Sequence, residues 1–527
     1  MDIISIEFFI FLVILTFLYY LVPKRIQWIT ILLANLVFYA YVGIRYFIYI
    51  LLISGITFWM ALQLEKLVEN GAKLAVSAET PEAKKSIKAD ILKKKKLFCG
   101  IAIVITMGVW AVLKYGNFFI DNINILIKGF LPGGMLKHFS WVIPLGMSFY
   151  TFDAVGYLVD IYRGKYKAER NYAKYLTFVS YFPHIVQGPF SRFDYLGKNI
   201  FEKHKFSYDR MCEGCARILW GVFKKVVVAD QIGIAVNAIF EGYETYTGIY
   251  MMFAMCAYGI QLYADFSGYM DIMCGFSRIL GIDLAENFKR PYFAKTVDEF
   301  WRRWHITLGT WFKDYVFYPV SMGKIGQKLG KRARKKWGAK MGKLVPGYFA
   351  LIFVWTATGL WHGANWTYLV WGYLNLFVIV STMQLTDFYE RVKKKLHIKS
   401  DSLLWSVFCV IRTYLLVCFF RFFSAAPNIY SAMEMLKATV RNMHLEVIRA
   451  PITLFVNVGY VEIYYIIIGT FFIFLVDLFD EIGLWGKIKK HCPMLVRNAI
   501  YTLLIFLIAM SALNGTNISG GFMYANF

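Results

Sequence analysis

Two histidines stand in tryptophan-rich stretches of a largely apolar sequence, where a polar side chain is costly to bury. His305 lies in residues 301–308, Trp-Arg-Arg-Trp-His-Ile-Thr-Leu, and His362 lies in residues 359–366, Gly-Leu-Trp-His-Gly-Ala-Asn-Trp. A neutral imidazole can take a proton from an attacking hydroxyl and return it to a leaving group. Both histidines are therefore candidate acid–base residues. The alternative for each is a buried side chain that only hydrogen-bonds a carbonyl group.

Further polar and aromatic residues lie near these histidines or inside apolar spans. Trp361 and Asn365 flank His362, and we predict that they line a tunnel that contains this histidine. Asp265 and Asp271 lie in one apolar span, where they could orient a histidine or line the tunnel. These residues make up the remainder of the candidate site.

The composition of the chain is that of a membrane protein. Of its 527 residues, 58% are hydrophobic, 19% are aromatic and 17% are charged, and the mean hydropathy is +0.50. A soluble fold could not cover this apolar surface, because globular domains average nearer half apolar and a quarter charged. We therefore exclude a disordered chain, a disulfide scaffold and an ordinary cytosolic enzyme. The sequence predicts one all-α polytopic membrane domain over residues 1–527.

The basic residues indicate which loops face the cytoplasm. Lys and Arg number 58 against 34 Asp and Glu, so the net charge is +24. The basic clusters fall between apolar spans, which favours cytoplasmic loops over a nucleic-acid site. Lys24 and Arg25, residues 65–96, and the loop 321–343 with nine Lys or Arg and no acid share one side if the N-terminus is outside. This pattern predicts about 11–12 transmembrane helices, some re-entrant, with both termini outside.

His362 falls at the bend of a predicted hairpin. Residues 346–383 form two apolar arms that meet around residues 359–365, and both arms start on the cytoplasmic side. The first arm has about 14 residues before the bend, so it rises ~20 Å in a hydrocarbon core of ~30 Å. We expect His362 to lie within the depth of the membrane. Residues 175–190, which contain Pro183, predict a broken, re-entrant segment.

These motifs resemble the signature of the membrane-bound O-acyltransferases. The resemblance is carried by residues 301–305 and 308–315, by residues 359–363, and by residues 148–152, 160–164, 182–183, 188–189, 263–269 and 420–423. Within this family the sequence is similar to the bacterial branch that acylates extracellular polymers. Members of that branch O-acetylate alginate or peptidoglycan, or D-alanylate teichoic acids. The motifs cover roughly residues 140–375, which we take as the core of the domain.

The resemblance implies helices and re-entrant segments around a central tunnel in the plasma membrane of a bacterium. It implies that His362 is the catalytic histidine and that His305 is a second tunnel residue that orients or polarises the acyl group. No bound cofactor or metal is expected. The donor is expected to be acetyl-coenzyme A or an acyl carrier protein on the cytoplasmic side.

The same resemblance implies the partners. The acceptor is expected to be an extracellular polysaccharide, reached with the help of an extracytoplasmic SGNH-type acyltransferase, and the other partner is membrane lipid rather than nucleic acid. Two alternatives remain open at this point. They are D-alanyl transfer to teichoic acid and a non-enzymatic transporter of polysaccharide or lipid-linked sugar.

The predicted outer tail, residues 515–527, ends Phe-Met-Tyr-Ala-Asn-Phe, an F-x-Y-x-x-F pattern. In the D-alanylation system a small companion peptide ends in a similar pattern, and its tyrosine is implicated as an acyl carrier. A phenol ionises near pH 10, so its ester is a comparatively activated acyl donor. Tyr524 is therefore a candidate acyl-carrying residue. The alternative is an aromatic anchor at the membrane interface.

Overall fold

The computed structural model describes residues 3–128, 135–140, 143–514 and 522, and these residues are organised mainly as α-helices. In this part of the chain, seven helices are long and apolar enough to cross a membrane: Gln27–Val76, Pro81–Lys128, Lys324–His362, Trp366–Gln384, Leu403–Ala425, Tyr460–Glu481 and Met494–Leu513. A shorter apolar helix, Ile6–Leu21, precedes them. The prediction of an all-α polytopic membrane protein is confirmed.

These seven apolar segments are fewer than the 11–12 helices predicted from the charge pattern, and the described helices account for part of the difference. The segment Gln27–Val76 is counted once although it contains two consecutive helices, Gln27–Gly43 and Phe47–Val76. Helices that carry charges in their apolar sequence, such as Ile249–Ile279 with Asp265 and Asp271, fall outside the apolar set. The larger number and the central tunnel stay predictions.

The chain divides into two compact units, of which the first comprises Met1–Gly214 and Met273–Ala285. Its helices are α1 Ile6–Leu21, α2 Gln27–Gly43, α3 Phe47–Val76, α4 Pro81–Lys128, α5 Met147–Arg163, α6 Tyr172–Val179, α7 Phe182–Ile185 and α8 Lys198–Phe201. The helix interrupted between α6 and α7 confirms the predicted break at Pro183, which is tolerated there because it occupies the first turn of α7.

The second unit comprises Cys215–Ile272 and Glu286–Phe527 and contains both candidate histidines. Its helices, of which α9 and α11 also contribute residues to the first unit, are α9 Tyr208–Phe223, α10 Asp230–Glu241, α11 Ile249–Ile279, α12 Val297–Arg303, α13 Ile306–Phe312, α14 Tyr318–Ser321, α15 Lys324–His362, α16 Trp366–Gln384, α17 Thr386–Lys395, α18 Leu403–Ala425, α19 Ile429–Ala438, α20 Tyr460–Glu481, α21 Trp485–His491 and α22 Met494–Asn514.

Helices α9 and α11 touch through their backbones in this second unit. A methyl group added at Gly221 would lie 2.5 Å from the Gly268 carbonyl oxygen, and one added at Gly268 would lie 2.8 Å from the Gly221 carbonyl oxygen. Only glycine allows this approach. One turn later the chain forms a π-helical segment, Lys224–Ala229, whose wider turn lets two consecutive lysines reach α11.

The bend predicted around residues 359–365 is confirmed, but the predicted start of the first arm at residue 346 is wrong, because helix α15 begins at Lys324, is kinked at Gly338 and continues through Pro346. The depth expected for His362, which rested on an arm of about 14 residues, stays a prediction. Helix α15 ends at His362 and α16 starts at Trp366, and the two helices pack closely because a methyl group at Gly359 would lie 2.7 Å from the Tyr368 carbonyl oxygen. The Asn365 side chain caps α16 by accepting a hydrogen bond from the Thr367 backbone N–H.

Candidate active site

His362 is the last residue of α15, and its imidazole is enclosed by aromatic rings. It is 5% exposed. Its ring centroid lies 5.0 Å from that of Trp361, the preceding residue, and 4.9 Å from that of Trp371 on α16. Because the α15–α16 turn is short and capped, the histidine is held at the end of a rigid helix rather than on a mobile loop.

His305 lies between α12 and α13 with a left-handed backbone, φ 48°. It is 2% exposed. Phe266 on α11 meets the imidazole edge-on at 4.9 Å between ring centroids, and Trp361 lies 5.5 Å away. Left-handed backbone is uncommon for residues other than glycine and needs support from the surrounding structure.

The support for this conformation comes from Asn287 and the strand-like bridge that follows it. Phe288 and Trp304 form an antiparallel β-bridge, and the Ile306 N–H donates to the Asn287 backbone oxygen at 3.1 Å. The Asn287 side-chain oxygen accepts hydrogen bonds from the Thr307 N–H at 3.1 Å and the Thr307 hydroxyl at 2.9 Å, and lies 3.2 Å from His305 Nδ1.

Burial lowers the pKa of the His305 imidazole from 6.5 to about 3. His305 lies outside the seven apolar helices, and the lowered pKa follows from desolvation, which disfavours the charged form. The imidazole is therefore neutral at physiological pH. A neutral ring can accept a hydrogen bond through its unprotonated nitrogen.

Three of the predicted site residues come together in the second unit. His305 and His362 both contact the indole ring of Trp361. The end of α15, the loop between α12 and α13, and α11 thus meet around the aromatic rings that contact the two histidines. It can enclose a substrate among aromatic rings and present imidazole nitrogens to it.

The other two residues predicted to line the tunnel have partners elsewhere. Asp265 is 1% exposed, and Lys225 Nζ donates a hydrogen bond to its Oδ1 at 2.9 Å. Asn365 caps α16 and donates from its amide to the Pro427 backbone oxygen at 2.7 Å. Their roles at a tunnel stay predictions.

The two lysines of the π-helical segment anchor a network of buried charges. Lys225 also lies 2.7 Å from Asp230. Lys224 donates to Ser267 at 2.7 Å and pairs with Asp271 at 2.5 Å. Each of the two ammonium groups therefore lies within ion-pair distance of a carboxylate.

A cavity of about 440 Å³ opens beside Asn287. Its wall is strongly charged, with Arg217, Lys224, Lys289, Arg290, Asp271, Glu286, Asp477 and Asp480, and it also contains Tyr263, Phe288 and Met270. Asn287 thus lines the cavity, and its side-chain oxygen contacts the His305 loop. The cavity can take a polar, charged molecule of small to moderate size.

The chain end contributes one described residue to this unit. Phe522 is 2% exposed, lies 4.8 Å from Lys225 Nζ and meets Tyr269 of α11 at 5.1 Å between ring centroids. Tyr524 lies outside the described residues. Tyr269 is three residues after Phe266, so the two rings share one face of α11. Phe522 is therefore held beside the helix face that contacts His305.

Sequence reasoning missed Asn287, Phe266 and Trp371 as members of the site. Asn287 carried a weak signal, since it is a polar residue that directly precedes Phe288 in the short connection between α11 and α12. Phe266 and Trp371 are two of many aromatic residues in apolar sequence. Nothing in the local pattern sets them apart.

Comparison with known proteins identifies a family. Residues 163–334 match the model of MBOAT, the membrane-bound O-acyltransferase family. This segment lies within the predicted core, residues 140–375, and it contains His305 but ends before His362.

Several curated proteins are similar to the chain. It is 33% identical over 365 residues to the "Probable alginate O-acetylase AlgI" of Azotobacter vinelandii, covering 69% of the chain and 65% of that protein. It is 26% identical over 441 residues to the "Peptidoglycan O-acetyltransferase" of Helicobacter pylori, covering 78% and 73%. It is 30% identical over 292 residues to the "Teichoic acid D-alanyltransferase" of Bacillus subtilis, covering 54% and 69%. The chain thus spans slightly less than two thirds of the Azotobacter protein.

Proposed function

The chain belongs to the membrane-bound O-acyltransferase family, and on that premise we propose that it passes an acetyl group from a cytoplasmic thioester to hydroxyl groups of an extracellular polysaccharide or cell-wall polymer. The observation that carries the proposal is the pair of buried histidines, His305 and His362, packed against the indole of Trp361. The names of the Azotobacter and Helicobacter relatives support acetyl as the group and a polymer as the acceptor.

His362 acts as the general base in this proposal. The attacking hydroxyl oxygen bonds to the thioester carbonyl carbon while its proton passes to the imidazole. The carbon–sulfur bond then breaks, and the imidazolium returns the proton to the departing thiolate. A positioned base of this kind contributes about 10²–10⁴-fold to the rate.

The cavity beside Asn287 is the proposed donor site. Lys224, Lys289 and Arg290 on its wall are cations that can bind the phosphates of coenzyme A, or of the phosphopantetheine arm of a carrier protein. Lys224 and Arg290 would share their charge between the phosphates and the carboxylates of Asp271 and Asp480, with which they pair. Lys289 and Arg290 lie in the connection between α11 and α12, and basic connections between apolar spans favour the cytoplasmic side, where such donors are found. No bound cofactor takes part in this scheme, since the donor is a substrate.

Tyr524 is the proposed acyl carrier on the acceptor side. Phe522, the first aromatic residue of the F-x-Y-x-x-F pattern, is buried beside the helix face that contacts His305. Tyr524 is two residues from Phe522 in the sequence, which supports this role. An extracytoplasmic SGNH-type acyltransferase would then take the acetyl group from the tyrosyl ester and deliver it to the polymer.

Acetyl transfer by the purified protein tests the general-base assignment. The protein in lipid nanodiscs receives labelled acetyl-coenzyme A or a labelled acetyl carrier protein, and label on the protein is counted. We expect His362→Ala to lower the rate about 10²-fold or more. The matched control is His491→Ala, which changes an exposed histidine at the end of α21 and should leave the rate unchanged. Wild-type transfer by His362→Ala would contradict the assignment, and label from a D-alanyl thioester alone would identify the aminoacyl reaction instead.

The relay has its own test. Peptide mass spectrometry should find the acetyl group on Tyr524 after a single turnover. In cells, Tyr524→Phe should abolish acetylation of the polymer while Tyr430→Phe, a change at an exposed tyrosine of α19, should not. Full polymer acetylation by the Tyr524→Phe strain would rule the relay out.

A further inference from the structure

We infer that Asn287 is a positioning residue that holds His305 in one tautomer, with the proton on Nδ1 and the lone pair on Nε2. For a neutral ring, the tautomer follows from the contacts of Nδ1. Its consequence for acyl transfer rests on the proposed function.

The first step is the orientation of the Asn287 amide. The Thr307 backbone N–H can only donate, and it lies 3.1 Å from the Asn287 side-chain oxygen. Turning the amide over would bring its NH₂ group against this N–H, donor against donor. The Thr307 hydroxyl, which donates to the same oxygen at 2.9 Å, supports the same orientation. The oxygen of Asn287, not its nitrogen, therefore faces the His305 loop.

The second step is the imidazole itself. His305 Nδ1 lies 3.2 Å from the Asn287 oxygen, and an amide oxygen can only accept. Nδ1 must carry the hydrogen of this bond. In a neutral ring the other nitrogen, Nε2, then carries the lone pair.

The third step is the rigidity of the frame. The Ile306 N–H donates to the Asn287 backbone oxygen at 3.1 Å, and the Lys289 N–H donates to the Arg303 oxygen at 2.9 Å. The backbone segments that carry the amide and the imidazole are thus tied together on both sides of the bridge. The side-chain bond cannot be lost without breaking backbone bonds or turning a buried side chain.

The inference sharpens the role predicted for His305. A ring with its lone pair on Nε2 accepts a hydrogen bond there and cannot donate one to an acyl carbonyl oxygen. Two roles were predicted for His305, to polarise the acyl carbonyl or to orient a reacting group. The neutral ring cannot polarise the carbonyl, so the orienting role remains. His305 orients a group that carries a hydrogen, such as the attacking hydroxyl or an amide N–H of the donor's pantetheine arm.

Nitrogen NMR of the histidine rings measures the tautomer without any need for activity. The full-length protein is labelled with ¹⁵N-histidine in lipid, and the His305 signals are assigned by their loss in His305→Gln. We expect a protonated Nδ1 and an unprotonated Nε2 near neutral pH, and a change of this pattern in Asn287→Leu. Asn35→Leu is the matched control, because Asn35 is also buried and accepts a backbone N–H, from Phe182, in the first unit. A protonated Nε2 in the wild type would overturn the inference.

Acyl transfer then tests whether the tautomer matters. A wrong histidine tautomer has cost another enzyme about 10⁴-fold, so we expect Asn287→Leu to lower the rate at least about 10²-fold. Asn287→Asp keeps an oxygen that accepts from both Nδ1 and Thr307 and should restore most of the rate at about pH 8, where the neighbouring carboxylate cannot keep the imidazole protonated. Equal rates for the wild type and Asn287→Leu would overturn the positioning role. Failure of the proposed function is distinguishable from failure of this inference. In that case the wild type would transfer no acyl group, while the nitrogen NMR signals of His305 would still show which tautomer is present.

Discussion

Replacing Lys225 by methionine is predicted to destabilise the second unit strongly. Lys225 Nζ lies 2.9 Å from Asp265 Oδ1, and the Asp265 side chain is 1% exposed. Removing the ammonium takes away the positive charge 2.9 Å from that buried carboxylate. Asp230, the other partner of Lys225, is 21% exposed and can be hydrated. Breaking a buried ion pair from one side costs about 3–5 kcal/mol.

This magnitude can be measured by thermal unfolding of the detergent-solubilised protein. At ~2 °C per kcal/mol for a unit of this size, Lys225→Met should lower the Tm by about 6–10 °C. The double variant Lys225→Met/Asp265→Asn removes the stranded charge and should recover at least half of the loss. Lys340→Met is the control, because Lys340 pairs with Asp387 on the surface, with side chains 58% and 72% exposed. A surface pair contributes about 0–1 kcal/mol, so the Tm should stay within about 2 °C.

Two results would refute the reasoning. If Lys225→Met unfolds within about 2 °C of the wild type, the carboxylate of Asp265 is not buried as the structure has it. If the double variant is less stable than Lys225→Met, the stranded charge is not the cause of the loss, and the packing of the lysine stem is.

Three further substitutions test the positioning of the site. Gly268→Ala places a methyl group 2.8 Å from the Gly221 backbone oxygen, so we expect poor folding by size-exclusion chromatography; Gly486→Ala, with nothing within 4 Å, should fold normally. Asn365→Ala removes the cap of α16 and should cost about 1 kcal/mol, measured as a Tm loss with no change in the expression level; an unchanged Tm would contradict the cap. Trp361→Leu removes the ring that both histidines contact and should lower acetyl transfer about 10²-fold while the protein still folds; wild-type transfer would show that the ring does not position the histidines.

The all-α fold and the bend at His362 could be predicted because the sequence patterns that indicate them are local. Long apolar segments fix helices in a membrane, since every backbone polar group has to be satisfied within the segment. The bend is marked by Gly363 and by Asn365, a good helix N-cap, within a few residues of the histidine. The structure ends α15 at His362 and starts α16 at Trp366, as this pattern indicates.

The partners of the polar residues could not be predicted, because pairing across helices is a tertiary property. Asp265 was a candidate to orient a histidine or line a tunnel, and the structure gives it Lys225, 40 residues earlier in the chain. The two lysines reach α11 together only because α9 continues into a π-helical segment, which no periodicity of the sequence reveals. Asn287 contacts His305, which follows it by 18 residues, next to the β-bridge between Phe288 and Trp304, in a chain whose other signals are helical.

The neighbouring residues Asp265 and Phe266 show how the fold keeps charge away from the imidazole of His305. Consecutive side chains on a helix point about 100° apart, so α11 turns the carboxylate towards Lys225 and the phenyl ring towards His305. A carboxylate facing the imidazole would stabilise the imidazolium and raise the pKa of His305. The apolar surroundings instead lower that pKa to about 3, and the ring stays neutral. Helix α11 therefore carries buried charges with their partners on one face and aromatic rings on another. The His305 ring accepts hydrogen bonds at neutral pH because these two faces are separate.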